Sequence, residues 1–151
     1  MTVTTEQIKQ LREETGLSIA QCRFALEEAD GDKTKAIEIL KKNASGIALK
    51  KGDRNLGAGC VAAYIHAGDT VGVILELMCE TDFVAKNPEF KAVAKDIAMH
   101  IAAMNPDTSE ELLLQPFIKD SSRTIADLVN GTVQKFGERT ELGRFARYSV
   151  K

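Results

Sequence analysis

The 151 residues predict an α+β protein, with three short N-terminal helices followed by a three-stranded antiparallel sheet covered by helices on one face. Three observations carry that prediction. Up to residue 42, apolar residues recur three and four positions apart, the period of a helix with one buried face. Beyond residue 60 the period drops to two, through Val61–Ile65 and Val71–Leu77. Two longer helical runs then follow, after Pro88 and around Ile125.

The first helix opens at Thr4, which with Gln7 forms a candidate capping box. Ile8 and Leu11 place apolar side chains on one face, and Thr15-Gly16 stops the run. Ser18 with Gln21 opens the second helix, whose Ile19, Cys22, Leu26 and Ala29 keep the three-four spacing. Asp30-Gly31-Asp32 is a turn, and Asp32 caps a third helix carrying Ala36, Ile37 and Leu40. None of these helices is long enough to persist alone in water. Three stripes meeting on one small core, residues 1–42, solve that; the alternative is that they pack separately on the rest of the chain.

Residues 43–59 hold four glycines and read as a linker, with local helix around Ile47-Ala48-Leu49. The core unit is expected over 60–151. Its first strand carries Val61, Ala63 and Ile65, and its second Val71, Val73, Leu75 and Leu77. His66-Ala-Gly-Asp-Thr70 turns between them. Asn87-Pro88 starts the longest helix, because asparagine caps well and proline loses nothing at the first helical position. Phe90, Val93, Ala94, Ile97, Ile101 and Met104 line its inner side up to Asn105-Pro106. Thr108 and Glu111 box a short turn before Leu112, a further helix carries Ile125 to Phe136, and Phe145–Val150 forms the last strand.

Composition narrows the function. The net charge of −2 lacks the basic footprint of a duplex nucleic-acid binder, so no direct nucleic acid is expected. Cys22, Cys60 and Cys79 form no C-x-x-C pair or Cys/His cluster, which points away from structural zinc and from a disulfide framework. Met1–Glu6 lacks the features of a signal peptide, and no apolar stretch reaches membrane-spanning length. A cytoplasmic setting is expected, or an organelle matrix after processing.

No catalytic constellation assembles. His66 lies in a turn and His100 on the long helix, where a satisfied rim histidine is the ordinary reading. The nucleophile-elbow, zinc-helix and phosphate-loop patterns are all missing from the sequence. Glu76, Glu80 and Asp82 are too few acids for a hard cation. We therefore expect neither an enzyme nor a cofactor or metal site.

One segment has a distinct character. Thr81-Asp-Phe-Val-Ala-Lys-Asn87 joins strand to helix with little slack, and sets Phe83 and Val84 beside charged Asp82 and Lys86. Either Phe83 tucks under Phe90 or Val93 as a hydrophobic staple, or it stands out as an aromatic anchor ringed by polar groups, the make-up of a binding hot spot.

Glu80-Thr-Asp-Phe-Val-Ala-Lys-Asn87 is similar to the central signature of the elongation factor Ts family, whose core reads T-D-F-V-A. Leu11-Arg-Glu-Glu-Thr-Gly16, with Cys22 and Ala25-Leu26, resembles that family's amino-terminal signature. Ala29-Asp-Gly-Asp32 with Ala36-Ile37 matches its continuation, and Gln115–Asp120 and Arg144–Tyr148 look like later segments. The resemblance implies a ubiquitin-associated-like helical module, then a core that docks on the nucleotide-binding domain of elongation factor Tu. Asp82 and Phe83 would occupy the wedge positions, with Thr81 and Val84 beside them. The wedge would disturb magnesium coordination so that GDP leaves faster. Leu11, Ile19 and Ala20 match the neighbourhood of the amino-terminal docking surface, although Leu11 and Ile19 are equally good core residues.

The chain also departs from the family. Between Met104 and Leu112 only Asn105–Glu111 remains of a helical stretch that many members carry, and Glu138-Arg-Thr-Glu-Leu142 differs from the usual E-N-I pattern. The second core half and coiled coil of long members are missing. These departures leave open a binding or regulatory module that keeps the scaffold without exchanging nucleotide. Single-core members commonly pair, so a homodimer is expected, with Tyr64, Val71, Val73, Phe145 and Tyr148 as contributors; the alternative is that these fill the protomer's own core.

Overall fold

Reciprocal caps start the helices where the sequence places them. Thr4 accepts a hydrogen bond from Gln7 N at 3.2 Å and donates its own N–H to Gln7 Oε1 at 2.8 Å, opening α1 (Thr5–Thr15). Gly16, at φ 69°, ends it. Ser18 and Gln21 repeat the device for α2 (Ile19–Glu28), and Asp32 caps α3 (Lys33–Lys50). The computed structural model describes residues 2–150, so positions 1 and 151 of the expected spans lie outside the described residues.

Leu11, Leu17, Cys22, Ala25, Leu26, Ala36 and Leu40 form the buried centre of the three helices. Ile19 does not join them. It is 60% exposed on the first turn of α2, and Ala25 completes the inner stripe instead. α3 also differs from expectation: it continues through Asn43–Lys50, so the irregular connector is only Lys51–Gly57. Asn43, Ser45 and Gly46 are poor helix formers. Tertiary packing overrides them, with Ala44 buried, Lys41 Nζ donating to Ser122 O at 3.0 Å, and Asn130 Nδ2 donating to Ser45 Oγ at 3.4 Å.

Beyond the connector come β1 (Ala58–Ile65), β2 (Val71–Cys79), the single turn α4 (Asp82–Ala85) and α5 (Pro88–Met104). A short α6 (Ser109–Leu114) leads to a small hairpin of β3 (Pro116–Phe117) and β4 (Asp120–Thr124), which the sequence reading did not foresee. α7 (Ile125–Phe136) and β5 (Glu141–Ser149) complete the chain. The main sheet has the order β1-β2-β5 and is antiparallel throughout. The fold is therefore the expected α+β arrangement of N-terminal helices and a three-stranded antiparallel sheet with helices.

Register decides which side chains meet the helices. Cys60 opposes Leu77, Ala62 opposes Leu75 and Tyr64 opposes Val73 on the inner face. Against them α5 buries Phe90, Ala94, Ile97, Ala98 and Ile101, and Phe90 meets Phe136 of α7 edge-on at 6.3 Å. Val73 is buried here, and Tyr64, Val71 and Phe145 pack on the same core. Four of the five residues named for self-association thus fill the protomer instead. The reason is the two-residue period: the opposite face belongs to their neighbours, Val61, Ile65, Ile74 and Tyr148, which are 65%, 62%, 49% and 75% exposed. Glu76 crosses that face to Arg144, accepting from Nε at 2.8 Å and Nη2 at 3.1 Å, and these hydrogen bonds pull its carboxyl down to about 2.

Candidate functional site

The Thr81–Asn87 segment is built as a hydrogen-bonded corner. Thr81 is extended (φ −128°, ψ 152°), and its hydroxyl caps α4 by accepting from Val84 N at 3.4 Å. Lys86 N donates to Asp82 O at 3.0 Å and Asn87 N to Val84 O at 3.0 Å, which closes the turn. Asn87 Oδ1 then accepts from Glu89 N at 2.9 Å and starts α5, with Pro88 in the first turn.

This corner separates the predicted residues. Val84 and Ala85 are 6% and 5% exposed and belong to the main core, whereas Thr81 and Asp82 are exposed and Phe83 is 88% exposed. Phe83 is therefore no staple under Phe90. Val84 takes the buried position, and Phe83 is turned out on the same helical turn. Leaving an aromatic ring in water forgoes the largest burial gain available to the segment.

Polar contacts tie the base of the corner to the turn after α7. Glu138 Oε1 accepts from Glu80 N at 3.2 Å and Thr81 N at 3.0 Å, while its Oε2 accepts from the Thr81 hydroxyl at 2.7 Å. Glu80 returns the contact, accepting from Arg139 N at 2.7 Å and from Arg54 Nη1 at 3.4 Å. Cys79 lies beneath, its thiol donating to Thr81 O at 3.3 Å; burial and the nearby Glu138 carboxylate push that thiol up.

The N-terminal residues also divide. Leu11 is 1% exposed and supports the helical core, so it offers no surface to a partner. Ile19 and Ala20 are exposed, Ile19 at the first residue of α2, and Ala20 shares a face with Phe24, which is 52% exposed and was missed by sequence reasoning. Ala20 and Phe24, four residues apart, were the available signal: α2 carries a second apolar stripe beside the buried one.

Neither histidine sits in reactive surroundings. His100 is fully buried; its Nδ1 accepts from Ile118 N at 3.3 Å and its Nε2 faces Gln115 Oε1 at 2.9 Å. The ring is thus a neutral pin between α5 and the β3–β4 hairpin, and burial pushes its pKa down. His66 is exposed beside the Tyr64 hydroxyl at 3.1 Å. Among the described residues no group of three His, Cys, Asp or Glu is arranged to hold a metal ion. Nor is any described helix long and apolar enough to cross a membrane. The arrangement presents an exposed aromatic ring and a carboxylate on a hydrogen-bonded turn.

Comparison with known proteins agrees with the motifs. A family model described as Elongation factor TS matches residues 32–111 and 80–151. The chain is 39% identical to the elongation factor Ts of Thermodesulfovibrio yellowstonii, over 99% of this chain and 97% of the relative. It is 43% identical to that of Pseudothermotoga lettingae, over 91% of this chain and 77% of the relative. A longer relative from Trichlorobacter lovleyi is 41% identical, and the match covers 48% of it. The alignment with the Thermodesulfovibrio protein spans 194 positions against 151 residues here, so that relative has internal stretches with no counterpart in this chain. Matched from residue 32 to 151 by the family model, and along nearly its whole length by these relatives, the chain belongs to the elongation factor Ts family.

Proposed function

We propose that this chain binds elongation factor Tu and accelerates release of its GDP, with Asp82 and Phe83 as the wedge. The observation behind this reading is the 88% exposure of Phe83 on a turn whose next two residues are buried. A ring held out by a rigid support has little conformational entropy left to lose when a partner covers it. Asp82 brings its charge to the same point, where it would compete within the partner's magnesium and phosphate environment. Exchange of this kind needs no acid, base or nucleophile. The factor stabilises the nucleotide-free partner more than the GDP form, and linkage then weakens GDP binding by the same factor.

Thr81 and Val84 serve here as cap and anchor rather than as contacts. The helices of residues 1–42 act as a second docking module through Ile19, Ala20 and Phe24. A partner in translation places the protein in the cytoplasm or an organelle matrix. Stopped-flow release of a fluorescent GDP analogue from elongation factor Tu tests the reading: substoichiometric protein should accelerate release. Tight binding without acceleration would instead identify the non-exchanging module.

We also propose a homodimer, built on the uncovered sheet face rather than on the inward residues. Val61, Ile65, Ile74 and Tyr148 form an apolar patch on that face, and such patches mark association surfaces. Sedimentation equilibrium at micromolar concentration should give twice the chain mass. A single species at the chain mass refutes the pairing and leaves the wedge untouched.

A further inference from the structure

We infer that Glu138 is the positioning residue of the wedge: from the turn after α7, its carboxylate sets the direction in which α4 holds Phe83. The inference rests on the exchange reading above and concerns a residue that does not itself reach the partner-facing ring.

α4 has four residues, too few to hold a helical turn unaided. Val84 and Ala85 anchor it to the core by apolar contact, which fixes depth but is non-directional. The bonds of Lys86 and Asn87 close the far side of the turn, and on the sheet side direction comes from the two residues between the end of β2 at Cys79 and the start of α4 at Asp82. Those residues are Glu80 and Thr81, and both of their N–H groups donate to one oxygen of Glu138. The other oxygen takes the Thr81 hydroxyl proton at 2.7 Å. A hydroxyl has one proton and two lone pairs, so committing the proton to Glu138 leaves the lone pairs for Val84 N, the bond that caps α4.

Glu138 is itself well placed to impose direction. Gly137, at φ 71°, ends α7 and turns the chain toward the sheet, and α7 is seated in the core through Leu128, Val129 and Val133. Arg139 N donates to Glu80 at 2.7 Å, so the two turns hold each other reciprocally. Bonds to a charged acceptor are the stronger kind. The orientation of Phe83 is therefore relayed from α7, across 57 residues of sequence.

Glu138→Gln tests this, because the amide keeps the shape but replaces one acceptor oxygen with a donor. In the free chain, amide hydrogen exchange at Glu80, Thr81 and Val84 should quicken by about tenfold or more, while core amides such as Leu75 keep their protection. The saturating GDP-release rate should fall by about tenfold, and in a Phe83→Ala background the same substitution should cost almost nothing further. Thr81→Val, which removes the hydroxyl's bonds to Glu138 and Val84 but leaves both N–H bonds to Glu138, should move both readouts the same way, with less effect at Glu80 and Thr81, and it serves if Glu138→Gln does not fold. Unchanged protection at Glu80 and Thr81 overturns the inference. So does a rate loss that persists in full without the Phe83 ring, since that is the mark of general destabilisation. A wild-type chain that fails to release GDP defeats the exchange reading instead, and the hydrogen-exchange arm still decides whether Glu138 positions the corner.

Discussion

The helical module and the sheet unit both leave large apolar side chains in water, but they hold them differently. In the module, Ile19 stands exposed at the start, and Phe24 on the outer side, of a continuous helix whose inner stripe is Cys22, Ala25 and Leu26. In the sheet unit, Phe83 stands on a single turn whose direction is set by polar bonds and whose neighbours are buried. A helix face offers a broad, flat contact that tolerates small shifts. A bonded corner offers one ring at a fixed point. On the proposed exchange reading, the difference suits the first to docking and the second to prying.

The comparison breaks first at the aromatic pair. Phe90→Ala empties a fully buried site and should destabilise the fold by about 3–5 kcal/mol, lowering the melting temperature by roughly 10 °C. Phe83→Ala should leave melting within about 1–2 °C of wild type, because an exposed ring contributes little to folding. Its loss should appear in GDP release, where a hot-spot aromatic is worth roughly 2 kcal/mol or more. Equal melting losses for the two variants would erase the distinction between anchor and core.

A smaller contrast separates two residues of the module. Leu11→Ala, at a buried site, should cost about 2–4 kcal/mol of stability and show up in thermal denaturation. Ile19→Ala should stay within about 0.5 kcal/mol in stability and weaken binding to elongation factor Tu by about 1 kcal/mol, measurable by calorimetry. Unchanged affinity would remove Ile19 from the docking surface and sharpen the assignment toward Phe24.

Local features were legible in the sequence. The boxes at Thr4/Gln7 and Ser18/Gln21, the Asp32 cap, the Asn87-Pro88 start and the Gly137 stop are all made within a few residues, so type and spacing suffice to read them. Features fixed at long range were not. The second half of α3 is held by α7, against the preference of Asn43, Ser45 and Gly46. Alternation in the strands was plain, yet which parity faces inward depends on where α5 lies, and so Tyr64 and Val73 were open to either reading. For Leu11 and Ile19 the apolar period is identical, and only the packed module distinguishes them. Glu138 left no local trace at all, since its partners are 57 and 58 residues away.

α3 runs unbroken for 18 residues, roughly 27 Å, from the helical core to the flank of α7. It is a rod where a linker with only local helix around Ile47-Ala48-Leu49 was expected, and it would fix the spacing between the two proposed contact surfaces. With a string, a second contact forms at an effective concentration diluted by every conformation of the tether. With a rod, it forms near the maximum when the partner's two recesses match the spacing, and not at all when they do not. Bivalent avidity and selectivity against partners of the wrong dimensions would then come from one helix, without any additional contact.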